Sequence, residues 1–97
     1  MHRQIQFTCQ LFREGDQIVS LCPELNVSSF GDTSEEAESA LHEAVALFIE
    51  ECERMGTLND VLEEAGYSLE RHQVPVPVEK WAPPRPLKTL QLELALA

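Results

Sequence analysis

Gly31-Asp32-Thr33-Ser34-Glu35-Glu36-Ala37 is the stretch on which the fold turns. A threonine followed three residues later by a glutamate makes a capping box, in which the two side chains satisfy backbone N–H groups that the first helical turn leaves without partners. A helix is therefore predicted to open at Thr33. Asp32 and Glu35 favour the positive end of its dipole, and Gly31 permits the sharp turn before it. Downstream, Ala37, Leu41, Ala44, Val45, Phe48, Cys52 and Met55 recur at spacings of three and four, an apolar stripe along one helical face. Gly56 stops it. At 1.5 Å per residue the helix from Thr33 to Met55 is about 35 Å long, enough to cross a small sheet diagonally.

Upstream, Arg3 to Phe12 alternate, with Ile5, Phe7, Cys9 and Leu11 on one face and Gln4, Gln6, Thr8 and Gln10 on the other. That period of two predicts a half-buried strand. Arg13-Glu14-Gly15-Asp16 is a polar tight turn, and Gln17 to Cys22 is the return strand of a hairpin. Pro23 cannot donate to a ladder and ends that strand, and Leu25 to Phe30 forms a third.

Downstream of Gly56, Thr57 is predicted to cap a second, shorter helix through Ala65, anchored by Val61 and Leu62 and stopped by Gly66. Val74-Pro75-Val76-Pro77-Val78 and Ala82-Pro83-Pro84-Arg85-Pro86 are extended by constraint, because each proline fixes its own φ and biases the residue before it. They read as a semi-rigid connector. Beyond it Leu90, Leu92, Leu94 and Leu96 alternate with Thr89, Gln91, Glu93 and Ala95, which predicts a last strand in need of a sheet edge. The predicted architecture is α+β: a three-stranded antiparallel sheet packed by one long helix, a short second helix, and a C-terminal strand that pairs in cis or across a dimer. Residues 1–66 form the core of this scheme, and residues 67–97 the connector and final strand.

At 97 residues the chain suits one domain, and its 43% hydrophobic and 25% charged residues are ordinary globular composition. The longest apolar-rich run, Leu41 to Ile49, is far too short to span a bilayer, and Met1 to Gln6 lack the apolar core of a signal peptide, so a cytoplasmic location is predicted. Seven basic against seventeen acidic residues give a formal charge of −10. Such a chain repels phosphates, which makes direct binding to DNA or RNA an unfavourable reading, and it speeds encounter with a basic protein.

Residue chemistry adds little that is reactive. Cys9, Cys22 and Cys52 form no Cys-x-x-Cys pair and read as small buried apolar residues, although Cys9 and Cys22 fall on adjacent strands. His2, His42 and His72 lack the spacing of metal ligands, and no serine sits in a nucleophile elbow. Glu35, Glu36, Glu38, Glu43, Glu50, Glu51 and Glu53 lie opposite the apolar stripe, either as a solvated face or as a surface complementary to a basic partner. Helix-start chemistry accounts for Gly31, Asp32, Thr33 and Glu36 in full. Trp81 sits among prolines, either exposed as a partner anchor or folded back on the core. No cofactor, metal site or catalytic group is expected.

The run Ile18-Val19-Ser20-Leu21-Cys22-Pro23-Glu24-Leu25, followed by Ser29-Phe30-Gly31-Asp32-Thr33-Ser34-Glu35-Glu36-Ala37, resembles the HicB family of antitoxins. The likeness continues through Ala40, Leu41, Ala44 and Leu47, Gly66 and the valines near Pro75, over roughly residues 5 to 78. It implies a three-stranded sheet crossed by one helix, a small basic HicA-type ribonuclease as partner, and inhibition by covering that toxin's active site. Many family members add a C-terminal DNA-binding domain, for which residues 79–97 have no room, so direct DNA binding is not expected.

Three functions are weighed on this basis. In the first, an antitoxin acts by occlusion, with the sheet edge, the corner Pro23-Glu24-Leu25 and the segment around Trp81 as contacts. In the second, an oligomeric adaptor of the same fold has no toxin and uses its last strand to build a homodimer or larger assembly. The third is a small hydrolase or nuclease, which would need converging carboxylates that the sequence does not bring together.

Overall fold

The computed structural model describes residues 2–73 and 75–96. Val74, part of the expected extended segment, lies outside the described residues, as does the side chain of His2. The fold is α+β. Its elements are strands β1 (His2–Ile5), β2 (Gln10–Glu14), β3 (Gln17–Cys22) and β4 (Val27–Gly31), helices α1 (Ser34–Met55) and α2 (Leu58–Glu64), and strands β5 (Ser68–His72) and β6 (Val78–Ala82).

Strands β2, β3 and β4 make the expected antiparallel sheet, in that order. Gly15, at φ 62°, closes the β2–β3 hairpin, and Asn26 takes a left-handed φ of 55° in the β3–β4 turn, a conformation asparagine tolerates. The third strand starts at Val27 rather than Leu25, because Pro23 to Asn26 are spent on that turn.

Helix α1 begins and ends where the capping signals place it. The Thr33 hydroxyl accepts the Glu36 N–H at 3.1 Å, and Glu36 Oε2 accepts the Asp32 N–H at 2.9 Å. Gly56 turns left-handed at φ 71° and donates to Cys52 and Glu53 carbonyls. The helix lies over β3 and β4 and barely reaches β2. Ala37, Leu41, Val45 and Cys52 bury the stripe, but Met55 at its end is 65% exposed, beyond the sheet it was expected to cover. Gly31 has a role beyond the turn. A Cβ there would lie 2.6 Å from the Ala37 nitrogen and 2.7 Å from Glu36 Cβ, so its missing side chain lets the first turn of α1 sit directly on β4.

The first strand is split. Its N-terminal half pairs with β6 and its C-terminal half with β3, and between them residues 6–9 belong to no ladder. Cys9 falls in that gap and is exposed, not buried as the alternation implied; Cys22 and Cys52 are buried, and all three thiols are free.

After α2 the chain departs most from expectation. Leu58 joins Leu62 as a buried anchor, and the Thr57 hydroxyl donates to the Cys52 carbonyl at 3.4 Å instead of capping α2. The expected connector contains two strands, which join β1 in a second sheet ordered β1-β6-β5, with β1 parallel to β6 and β5 antiparallel to it. The row Ile5–Trp81–Leu69 faces the core, where Trp81 is 5% exposed. Residue 66 is therefore no packing boundary, since Tyr67 and Trp81 share a cluster with Leu41, Val45 and Leu62. Of the two strands after α2, Val78–Ala82 takes the middle of that sheet and Ser68–His72 its edge. Leu90–Leu96, read as the final strand, makes no ladder among the described residues.

Candidate functional site

Strand register decides which side chains the β2-β3-β4 sheet shows to solvent. Ser20 and Cys22 point under α1 and are buried, so by alternation Val19 and Leu21 point outward. Register then places Phe12 opposite Val19 and Val19 opposite Phe30, a three-residue apolar row across the uncovered face. Phe12 is 50% exposed and Phe30 60%. A shallow hollow beside the row is lined by Glu14, Gln17, Ser28 and Ser29. Isolated exposed apolar residues are ordinary, but a contiguous row with a polar rim has the anatomy of a protein contact.

The acidic side of α1 adds charge. Glu35, Glu36, Glu38, Glu43, Glu50, Glu51 and Glu53 are all exposed. Within this set the structure pairs Glu51 with Arg54, and Glu53 with Arg3 at 3.8 Å, both at the surface where such pairs contribute little.

The corner Pro23-Glu24-Leu25 holds the split first strand in place. Glu24 accepts the Thr8 N–H at 3.2 and 3.3 Å, the Thr8 hydroxyl, and the Cys22 thiol at 3.4 Å. Burial alone would raise its carboxyl, but the hydrogen bonds from Thr8 and Cys22 outweigh burial and hold it below the usual range. Burial pushes the Cys22 thiol up to about 11, with Glu24 adding to the rise, so it stays protonated at neutral pH and serves as a donor rather than a nucleophile. Leu25 is buried and Pro23 exposed. Of this corner only Pro23 and one side of Glu24 are available to a partner.

Trp81 is not available. Its indole packs in the core, so the exposed-anchor reading gives way to the folded-back one. Its strand stops at Pro83, and the loss is repaired locally. Gln6 N–H donates to the Trp81 carbonyl at 3.0 Å, and a parallel ladder would next give the Gln6 carbonyl an N–H from residue 83. Proline has none. The Tyr67 hydroxyl donates there instead, at 2.7 Å, and its pKa is raised by burial, with Glu24 and Cys22 nearby.

A groove of about 380 Å³ runs between α1 and β1, with Ile5, Phe7, Val45, Ala46, Ile49 and Trp81 along it and Arg3, Glu50 and Glu53 at its rim. His42 stacks loosely on Phe7, ring centres 6.2 Å apart. Neither the groove nor the aromatic row was foreseen. The signal for the row was present, because Phe12 shares the parity of Gln4, Gln6, Thr8 and Gln10, the side expected to face water. The capping motif Gly31, Asp32, Thr33 and Glu36 acts as helix-start structure, as read.

Among the described residues, no three His, Cys, Asp or Glu side chains converge to hold a metal ion, and no helix is long and apolar enough to cross a membrane. No family model, curated protein or solved structure matches the chain.

Proposed function

We propose that the chain is a HicB-like antitoxin, a non-catalytic cytoplasmic protein that binds a small basic HicA-type ribonuclease and silences it by covering its active site. The observation that carries this reading is the Phe12–Val19–Phe30 row, solvent-facing on a molecule of formal charge −10. An apolar row on a strongly acidic molecule suits a basic protein and disfavours a phosphate backbone. Occlusion asks for no reactive group, only for area and complementary charge, and the chain's net charge of −10 speeds encounter with a cationic partner.

The test is recovery of the partner. The tagged full chain is purified from its native cytoplasm, co-purifying proteins are identified by mass spectrometry, and each is assayed for RNA cleavage. One small basic chain is expected, its ribonuclease activity abolished at equimolar ratio and its binding weakened by salt. The surface pair Phe12→Ser with Phe30→Ser should weaken binding at least tenfold with the fold intact. A preparation free of any basic partner, or a partner whose cleavage the chain leaves untouched, rejects the reading.

A second reading, a toxin-less oligomeric adaptor of the same fold, is favoured by one observation: the leucines at 90, 92, 94 and 96 are 62–89% exposed. A neighbouring reading frame encoding a basic chain of toxin size favours the first reading over it.

A further inference from the structure

We propose that residues 88–96 of one copy add as a strand to the open edge of β1 in a second copy, with leucines seated in the groove between β1 and α1. Three observations carry this. The first is an edge. β1 pairs only with β6 among the described residues, and because Gln6 faces β6, the alternation of a parallel ladder turns the N–H and C=O of Arg3 and Ile5 the other way. Such an edge is a template for a further strand.

The second is the apolar volume beside that edge. The Ile5 and Phe7 side chains line the 380 Å³ groove with Val45, Ala46 and Ile49, so every second residue of an added strand meets apolar wall. The third is the occupant. Leu90, Leu92, Leu94 and Leu96 share one parity, are exposed and join no ladder among the described residues. Residues 88–96 carry one lysine and one glutamate, so this segment is neutral where the whole chain is −10 and adds no repulsion between copies.

The segment's own chain is a poor host. The Pro84 ring lies against Gly66 at the end of α2, and three prolines within residues 83–86 stiffen the exit. The radius of gyration is 16.2 Å, against about 12.5 Å for a compact chain of this length, and Leu87, Leu90, Leu92, Leu94 and Leu96 are all exposed. A reciprocal exchange in which each copy gives one segment and accepts one closes a two-fold dimer. Such a dimer leaves the Phe12–Phe30 face free and forms whether or not a ribonuclease is bound.

The experiment is sedimentation equilibrium on the full chain at low and high salt. Twice the 10.9 kDa chain mass is expected, with tighter association at high salt, where mutual repulsion is screened. Ala46→Glu, at an exposed groove position, and Leu92→Glu with Leu94→Glu in the projecting segment should each halve that mass with circular dichroism unchanged. A wild-type monomer overturns the proposal. So does a dimer that survives either change: survival of Ala46→Glu would mean that the segments pair with each other, and survival of the leucine changes would mean that another surface holds the copies together. Ribonuclease binding by both variants should match wild type, which keeps failure here separate from failure of the antitoxin reading.

Discussion

The two sheets are built on opposite plans. β2, β3 and β4 are consecutive in the chain, joined by tight turns, and roofed on one side by the helix that follows them. The sheet of β1, β6 and β5 instead pairs residues 2–5 with residues 78–81, so its central contact closes a loop of most of the molecule. Closing such a loop costs entropy that no turn can offset, and repayment must come from side chains. Trp81, Tyr67 and Leu69 supply it, packed into the same core that α1 seals. Sequence-local hydrogen bonding and capping thus suffice to define the first sheet, whereas the second exists because its apolar row finds a core already there.

That contrast is sharpened by substitution, the largest effect first. Trp81→Ala removes the anchor of the second sheet and is expected to cost about 3–5 kcal/mol. Chemical denaturation followed by separate probes in each sheet checks it, with both transitions shifting together. Gly31→Ala strikes the first sheet where α1 touches it. Its Cβ would meet backbone at 2.6 Å, so the first helical turn has to move, at about 1–3 kcal/mol by the same denaturation assay.

Tyr67→Phe leaves the Gln6 carbonyl without its donor and is expected to cost about 1–2 kcal/mol, read as a lower denaturation midpoint. Glu24 binds the two plans together through Thr8. Its folded pKa lies below its ordinary value of 4.5, so its contribution is complete above the unfolded pKa and is lost as pH falls through the folded one. Glu24→Gln should flatten that acid limb of the stability–pH curve. Ser20→Ala is the smallest change. The Ser20 hydroxyl is buried under α1 and finds no hydrogen-bond partner among the described residues, so thermal unfolding should show stability unchanged or raised by up to about 1 kcal/mol.

The same contrast explains what could be read from residues alone. The hairpin at Gly15, the capping pair Thr33 and Glu36, and the stop at Gly56 are local signals, each satisfied within a few residues, and each stands in the structure. Ser68–His72 has no apolar alternation, and Val78–Ala82 is bracketed by Pro77 and Pro83, so propensity marks both as connector. They pair with each other, and the sheet is completed by a partner some seventy residues away, β1 on Val78–Ala82. The split at residues 6–9 has the same origin, since a change of pairing partner leaves no mark on the alternation. Leu90–Leu96 is the converse case, a strand pattern without a partner among the described residues. Of the candidate contacts, Pro23 is exposed and Glu24 half-buried, as a proline-made corner at the surface implies. Trp81 was not legible, because its burial depends on that distant pairing.

Native-state hydrogen exchange tests most directly whether the distant sheet and the local one form a single cooperative core. The Gln6 and Trp81 amides, bonded across β1 and β6, should exchange only by global unfolding, with the same free energy as the Ser20 and Cys22 amides of β3. Exchange of the first pair through a smaller opening, several kcal/mol below the second, would contradict a shared core.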